Sequence, residues 1–174
     1  MKKTWITLCL AAALLALLTC SYVMADSGKE HSFRARLSGF QEVPTNSTTG
    51  KGEFRAKLNS SETELTFELE YSELQGGTAV AAHVHLGATG TNGGVMFFLC
   101  GGGGKPTCPA TSGTVTGTVT AANIIGPASQ GIAPGEFSEV LRAMRSGVTY
   151  ANVHTAPMWP GGEIRGQVRD EDHD

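Results

Sequence analysis

The sequence predicts an all-β protein, a Greek-key sandwich or flattened barrel with one short helix. Short runs of alternating apolar and polar residues recur at close spacing along the chain. Glycine is abundant, at 23 of 174 residues, while charged residues make up only 17%. Alternation with a period of two indicates strands with one buried face, and closely spaced short strands are typical of sandwiches and barrels.

The expected strands follow one another through the chain. The turn at residues 59–61 joins the second and third of them into a hairpin with one wet and one buried face. The apolar run at 95–99 predicts a strand that is buried on both faces. The expected strands are residues 33–38, 53–58, 65–71, 79–87, 95–99, 114–120, 148–154 and 163–169.

One segment departs from the alternating pattern. Its apolar residues are spaced i, i+3, i+4, i+7, which predicts an amphipathic helix over residues 136–146. Arg142, Arg145 and Gly147 suit the end of this helix. We expect the helix to cap one end of the sandwich.

The first 25 residues have the features of a signal peptide. Lys2 and Lys3 precede an apolar stretch at 5–18, and a small-residue cleavage site ends at Ala25. The remaining chain then comprises one domain, residues 26–169, and an acidic tail, residues 170–174, which we expect to be disordered. We expect the protein to be secreted or periplasmic. A lipid-anchored form, cleaved at Cys20, is the alternative.

The charge of the exported chain excludes some classes of partner. Loss of Lys2 and Lys3 changes the formal net charge from −3 to −5, and the sequence has no evident basic patch. This argues against nucleic acid or an anionic membrane surface as a partner.

Two cysteines remain after cleavage, Cys100 and Cys108, on either side of a glycine-rich loop. An even pair in an exported chain indicates a disulfide bond. A two-cysteine metal site is the alternative, but neither a histidine nor a further cysteine lies nearby in the sequence.

The strand at 79–87 carries a histidine pair. Alternation places His83 and His85 on one face, together with Ala79 and Ala81. A third histidine, His154, falls off the apolar face of a later strand. Three neutral imidazoles with an open coordination position suit copper or zinc. The other face, expected to meet the core, carries Val80, Ala82, Val84 and Leu86.

Solvent-exposed polar side chains are the alternative interpretation of a histidine pair on a strand. If the last two strands form a hairpin beside the histidine strand, Arg165 shares the outer surface with the three histidines, and the loops after His85 and His154 can cover it. His31 and His173 are weaker ligand candidates near the chain ends. Met158 could be a weak axial ligand, although filling an irregular loop is the more common role of such a residue.

The ordered motifs of the chain resemble the CHRD family, first described in chordin and common in exported bacterial proteins. The resemblance covers about Phe33 to Val168. Its motifs are LSGFQEVP (37–44), AHVHLG (82–87), FLCG (98–101), YANVHT (150–155) and GGEIRGQ (161–167).

The histidine strands also resemble, more distantly, the copper half of copper/zinc superoxide dismutase. That resemblance implies a similar fold, copper held by His83, His85 and His154, and a role for Arg165 in guiding a small anion towards the metal. The chain has no evident bridging histidine and no ligand set for a zinc half. The resemblance to superoxide dismutase therefore implies at most an oxidoreductase with copper as its only metal.

We derive two hypotheses from these features. In the first, the protein is an exported β-sandwich that binds one copper ion, with zinc as the second choice, and acts in superoxide or redox defence or in copper handling. In the second, it is a non-catalytic extracellular binding module without a functional metal. The sequence leaves open whether the protein is an enzyme.

Overall fold

A computed structural model describes residues 31–171 of the chain. The predicted signal peptide and residues 172–174 of the predicted tail lie outside this range, so both remain predictions. Within the described range no helix is long and apolar enough to cross a membrane.

The structure confirms the predicted all-β fold. The described strands form one antiparallel sheet in the order β5-β4-β7-β8-β1-β2-β3-β6, with β9 paired to β1. The outermost strands β5 and β6 approach each other, so the sheet curls into a nearly closed barrel. The strands are β1 Ser32–Ser38, β2 Lys51–Leu58, β3 Glu64–Ser72, β4 Gly77–Leu86, β5 Val95–Cys100, β6 Gly113–Thr120, β7 Thr149–Pro157, β8 Trp159–Gln167 and β9 Arg169–Asp170.

The strand sequences explain the barrel core. Alternate residues of β1, β2 and β3 point inward and are buried, as the period-two pattern predicts. The predicted hairpin of β2 and β3 is present with a regular register from Lys51–Ser72 to Leu58–Leu65. The inward side chains of the strands form one continuous apolar cluster.

The helix α1, Phe137–Arg145, lies within one residue of the predicted bounds. Its apolar residues are buried, and Phe137, Val140, Leu141 and Met144 join the barrel core. At its carboxyl end Arg145 pairs with Glu62 in the β2–β3 turn at 2.7 Å. The helix therefore packs against one end of the barrel, the position predicted for it.

Two local predictions are wrong. Val80, expected to face the core, is 44% exposed, while its neighbour Ala79 is buried. A bulge between Ala79 and Ala81 in the pairing with β7 shifts the alternation by one residue. Asp170, expected to begin the disordered tail, pairs with Phe33 as part of β9 and is buried.

Candidate metal centre

The strand register brings the three predicted histidines together outside the barrel core. On β4, His83 and His85 lie opposite Asn152 and Tyr150 of β7, and Ala81 lies opposite His154. Directly paired residues of an antiparallel sheet point to the same face. One ligand nitrogen from each of His83, His85 and His154 therefore lies within 4.8 Å of the others. We call these three residues the histidine cluster.

Irregular pairing surrounds the cluster. The bulge between Ala79 and Ala81 precedes the histidines on β4, and the β7–β8 register shifts between Val153 and Thr155, next to His154. Such irregularities change the direction of a side chain relative to a regular strand and are common beside functional sites. Here they accompany the approach of His154 to His83, whose ring centroids are 4.4 Å apart.

The hydrogen bonds of His85 and His154 set the tautomers of both rings. The Nδ1 atom of His85 donates to the Gly93 carbonyl at 2.8 Å, and that of His154 donates to the Pro160 carbonyl at 2.9 Å. A neutral imidazole with a protonated Nδ1 has a lone pair on Nε2. Both Nε2 atoms therefore present lone pairs, as metal ligands must.

Three nitrogens, which we call the inward nitrogens, face the centre of the cluster: His83 Nδ1, His85 Nε2 and His154 Nε2. They differ in their hydrogen-bond partners. His83 Nδ1 lies 2.6 Å from His85 Nε2, and it must donate because that Nε2 carries no proton. His154 Nε2 is buried and has no hydrogen-bond partner among the described residues. A buried polar atom without a partner costs about 1–3 kcal/mol, so this nitrogen is a vacant acceptor of the kind that a metal ion would satisfy.

Aromatic rings enclose the cluster. Phe98, which lies opposite His83 on β5, meets the His83 ring edge-on at 5.1 Å. Tyr150 stacks on His85 with ring centroids 4.6 Å apart and planes within 3° of parallel. His83 and His85 are each only 8% exposed as a result.

Burial keeps the three imidazoles neutral. It lowers the pKa of His83 to about 3, helped by the neighbouring His154 and His85 rings. It lowers the pKa of His85 to about 4, against the opposing effect of the bond to Gly93, and it also lowers the pKa of His154. Neutral imidazole is the form that binds metal.

Arg165 shares this face of the sheet, opposite Asn152, as the sequence predicts. Its side chain is 2% exposed and lies under the loop of residues 87–94, which we call the covering loop. The guanidinium donates to the Thr91 carbonyl at 2.6 Å and lies 3.4 Å above the Tyr150 ring. Its predicted role in guiding an anion stays a prediction.

Two buried carboxyl groups, Glu42 and Glu163, were not among the predicted site residues, although both lie in motifs that resemble the CHRD family. Glu42 accepts a hydrogen bond from Asn152 at 2.5 Å, and burial raises its pKa to about 7 although the Arg165 charge opposes this. Glu163 is fully buried and accepts hydrogen bonds from Thr48, Gln75, Gly76 and Thr155. Glu163 thereby joins the 39–50 loop and the start of β4 to the β7–β8 hairpin.

Of the other predicted ligands, His31 does not join the histidine cluster. His31 pairs with Asp170 at 4.0 Å, near the chain end, and His173 lies outside the described residues. Met158 is 62% exposed at the turn between β7 and β8, so it does not fill a gap in an irregular loop. Cys100 and Cys108 form the predicted disulfide, which removes the alternative of a two-cysteine metal site.

The donor set fits a borderline transition metal. Three imidazole nitrogens converge, two of them on rings that a carbonyl group orients from behind. One of the three, His154 Nε2, has no hydrogen-bond partner in the part of the chain that the structure describes. Imidazole ligands suit copper, zinc, iron and nickel, whereas magnesium and calcium prefer oxygen. The arrangement is therefore able to hold one transition-metal ion.

Comparison with known proteins identifies one family. The family model described as CHRD domain matches residues 33–168, nearly the whole described chain. No curated protein and no solved structure matches the chain. The comparisons therefore add no support for the likeness to superoxide dismutase.

Proposed function

Because the chain belongs to the CHRD domain family, whose members are typically extracellular, we propose that it is an exported protein that binds one copper ion through His83, His85 and His154. The disulfide Cys100–Cys108 suits an oxidising compartment. The single observation that carries the proposal is the convergence of three imidazole nitrogens, one of them buried without a hydrogen-bond partner among residues 31–171.

Copper is favoured over zinc by general affinity. For a site of nitrogen ligands, affinity among the divalent first-row metals is greatest for Cu²⁺ and lower for Zn²⁺. An exported protein meets these metals outside the buffered cytosol. When bound, copper would supply one-electron redox chemistry at an open coordination position, and the chain would then serve redox defence or copper handling.

The chain's own residues would prepare the centre before a metal arrives. The Gly93 and Pro160 carbonyls keep the protons of His85 and His154 on the outward nitrogens. Tyr150 covers one face of the His85 ring, and Phe98 contacts the His83 ring, so that both rings are shielded from water. The imidazoles are thus held neutral and oriented, which limits the free energy spent on ordering them when a ligand binds.

One observation favours the second candidate function, a binding module without a functional metal. The His83–His85 hydrogen bond satisfies two of the three inward nitrogens without any ion. His154 Nε2, which is buried without a hydrogen-bond partner among the described residues, favours the first candidate function, a metal-binding protein.

A copper titration distinguishes the two candidate functions. Chelator-treated mature protein is titrated with Cu²⁺ in the presence of a competing chelator, as wild type and as His154→Gln. We expect the wild-type chain to bind one copper ion. In His154→Gln the copper affinity should fall by well over the ~10–100-fold that is typical when a residue hydrogen-bonded to a ligand is replaced. His31→Gln, which changes a histidine outside the cluster, is the matched control and should bind like wild type.

Two results would overturn the proposal: a wild-type protein that binds no copper, or a His154→Gln variant with wild-type affinity. Redox function is separated from static binding by ascorbate. A redox-active ion loses its Cu²⁺ electron paramagnetic resonance signal on reduction and regains it in air.

A further inference from the structure

Arg165 is buried although nothing of opposite charge forms a salt bridge with it among the described residues. Instead its guanidinium donates to the covering loop: to the carbonyls of Thr91 at 2.6 Å and Ala88 at 3.3 Å, and to the Asn92 side chain at 3.2 Å. Three donations from one planar group to three successive parts of a loop fix the conformation of that loop.

The covering loop reaches the histidine cluster through Gly93, which follows these anchor points directly. The Gly93 carbonyl accepts the proton of His85 Nδ1 at 2.8 Å, and the Gly93 amide donates to the Tyr150 hydroxyl at 3.2 Å. The backbone has no spare room here, because a Cβ atom on Gly93 would lie 1.6 Å from the Leu86 carbonyl oxygen. The position of the Gly93 carbonyl thus depends on how the loop is held.

A second path from Arg165 to His85 passes through an aromatic ring. The guanidinium carbon lies 3.4 Å from the centre of the Tyr150 ring, and the His85 ring stacks on Tyr150 with nearly parallel planes. A guanidinium over a tyrosine face is an attractive cation–π contact, and it strengthens when water is excluded. Arg165 and His85 therefore both hold the tyrosine ring in place.

We propose that Arg165 is a positioning residue of the metal centre: by anchoring the covering loop and the Tyr150 ring, it keeps the Gly93 carbonyl on His85 Nδ1 and so aims His85 Nε2 at the metal position. This inference rests on the proposed function for its metal. It assigns Arg165 a task in the absence of any anion, and it predicts that loss of Arg165 weakens metal binding. An arginine that only guides an anion would leave metal affinity unchanged.

Lysine should not replace arginine in this role. An ammonium group is a compact point charge without a planar fork, so it cannot reach three separated acceptors and stack on a ring at once. Arg165→Lys keeps the charge and most of the length. It therefore separates the positioning role from a purely electrostatic one.

The first test uses the metal-free protein. In nitrogen-15 NMR of histidine-labelled wild type, we expect a His85 Nδ1 proton that exchanges slowly with water. Arg165→Met and Arg165→Lys should lose this protection, and the His85 tautomers should then mix. Arg55→Met, which removes a half-exposed arginine from β2, is the matched control and should retain the wild-type signal.

The second test is the copper affinity of the same proteins. We expect a ~10–100-fold loss in Arg165→Met and in Arg165→Lys, as for other groups that orient a ligand from behind. Asn92→Ala, which removes one of the three anchor points, should show a smaller loss in the same direction. It serves as the test if Arg165→Met does not fold.

The outcomes separate this inference from the proposed function. If wild type binds no copper, the proposed function fails whatever the arginine variants do. If wild type binds copper, while the Arg165 variants and Asn92→Ala keep both the protected His85 proton and the wild-type affinity, the positioning role is wrong and the metal site stands. Restoration of both signals by Arg165→Lys would assign the effect to charge, which also contradicts the inference.

Discussion

Single polar atoms decide what the histidine cluster can bind. One proton lies between His83 Nδ1 and His85 Nε2, while His154 Nε2 has no hydrogen-bond partner within residues 31–171. With the proton of His83 on its Nε2 atom instead, His83, His85 and His154 would each offer one lone pair to a metal ion. The residues behind the rings matter equally, because the Gly93 and Pro160 carbonyls determine which nitrogen faces inward.

Glu42 makes the stability of the protein depend on pH. Its folded-state pKa is raised from 4.5 to about 7, so between these values the folded chain binds more protons than the unfolded chain. Its contribution to stability therefore falls as pH rises through this window. Glu42→Gln keeps an acceptor for Asn152 and removes the titration. We expect the variant to match wild type near pH 4.5 and to exceed it above pH 7 by up to about 3 kcal/mol.

Urea denaturation of the two metal-free proteins across this pH range measures the effect. The other titrating groups are common to both proteins, so the difference between their unfolding free energies isolates Glu42. A difference that stays constant with pH would show that Glu42 titrates normally in the folded state.

The sequence predicted the positions of single residues correctly where strand alternation determines them. It did not predict them where burial depends on loops or on strands distant in sequence. Period-two alternation placed His83 and His85 on one face and put His154 off the core of its own strand. Alternation did not single out Glu42, although it lies in the LSGFQEVP motif, because its burial involves a strand distant in sequence. The burial of Arg165 depends likewise on a loop more than 70 residues earlier.

At the scale of elements, irregular pairing separates the observed strands from the predicted ones. The sequence of β4 alternates regularly in appearance, yet the bulge before Ala81 exposes Val80 and buries Ala79. A bulge depends on the partner strand as much as on the strand itself. Since the partner β7 lies some 70 residues later, β4 alone could not reveal it.

The disulfide closes the loop between β5 and β6 beside the cluster. Cys100 ends β5, and Gly102 and Gly103 of the closed loop lie against Phe98, the residue that contacts His83. Closing a loop of this size stabilises a folded chain by about 2–3 kcal/mol through the entropy of the unfolded state. We expect the double variant Cys100→Ser with Cys108→Ser to lose that much in denaturant unfolding.

Wild type under a reducing agent provides the matched comparison and should behave like the double variant. An unchanged free energy of unfolding in both would contradict a stabilising role for the bridge. Because Phe98 is also held by β5 itself, copper affinity should fall much less in the double variant than in His154→Gln.

At the scale of the whole molecule, the barrel brings together ligands from distant parts of the chain. The pairing of β4 with β7 joins two histidines to a third about 70 residues later, and β8 adds Arg165 to the same face. Composition and alternation predicted the all-β class, and apolar residues spaced i, i+3, i+4, i+7 predicted the helix, since these patterns are local. The strand order was predicted only for the hairpin of β2 with β3 and, as a condition for the shared site, for the last two strands beside β4. The rest was not predicted, because pairing between distant strands depends on the closure of the sheet.

The location of bound copper tests the central claim most directly. Crystals of the copper-loaded mature protein, measured at the copper absorption edge, give an anomalous difference map that identifies the ion independently of affinity. The account predicts one principal peak per chain, bounded by His83 Nδ1, His85 Nε2 and His154 Nε2. A principal peak elsewhere, for example at His31 or His173, or no peak in a protein that is otherwise folded, would contradict it.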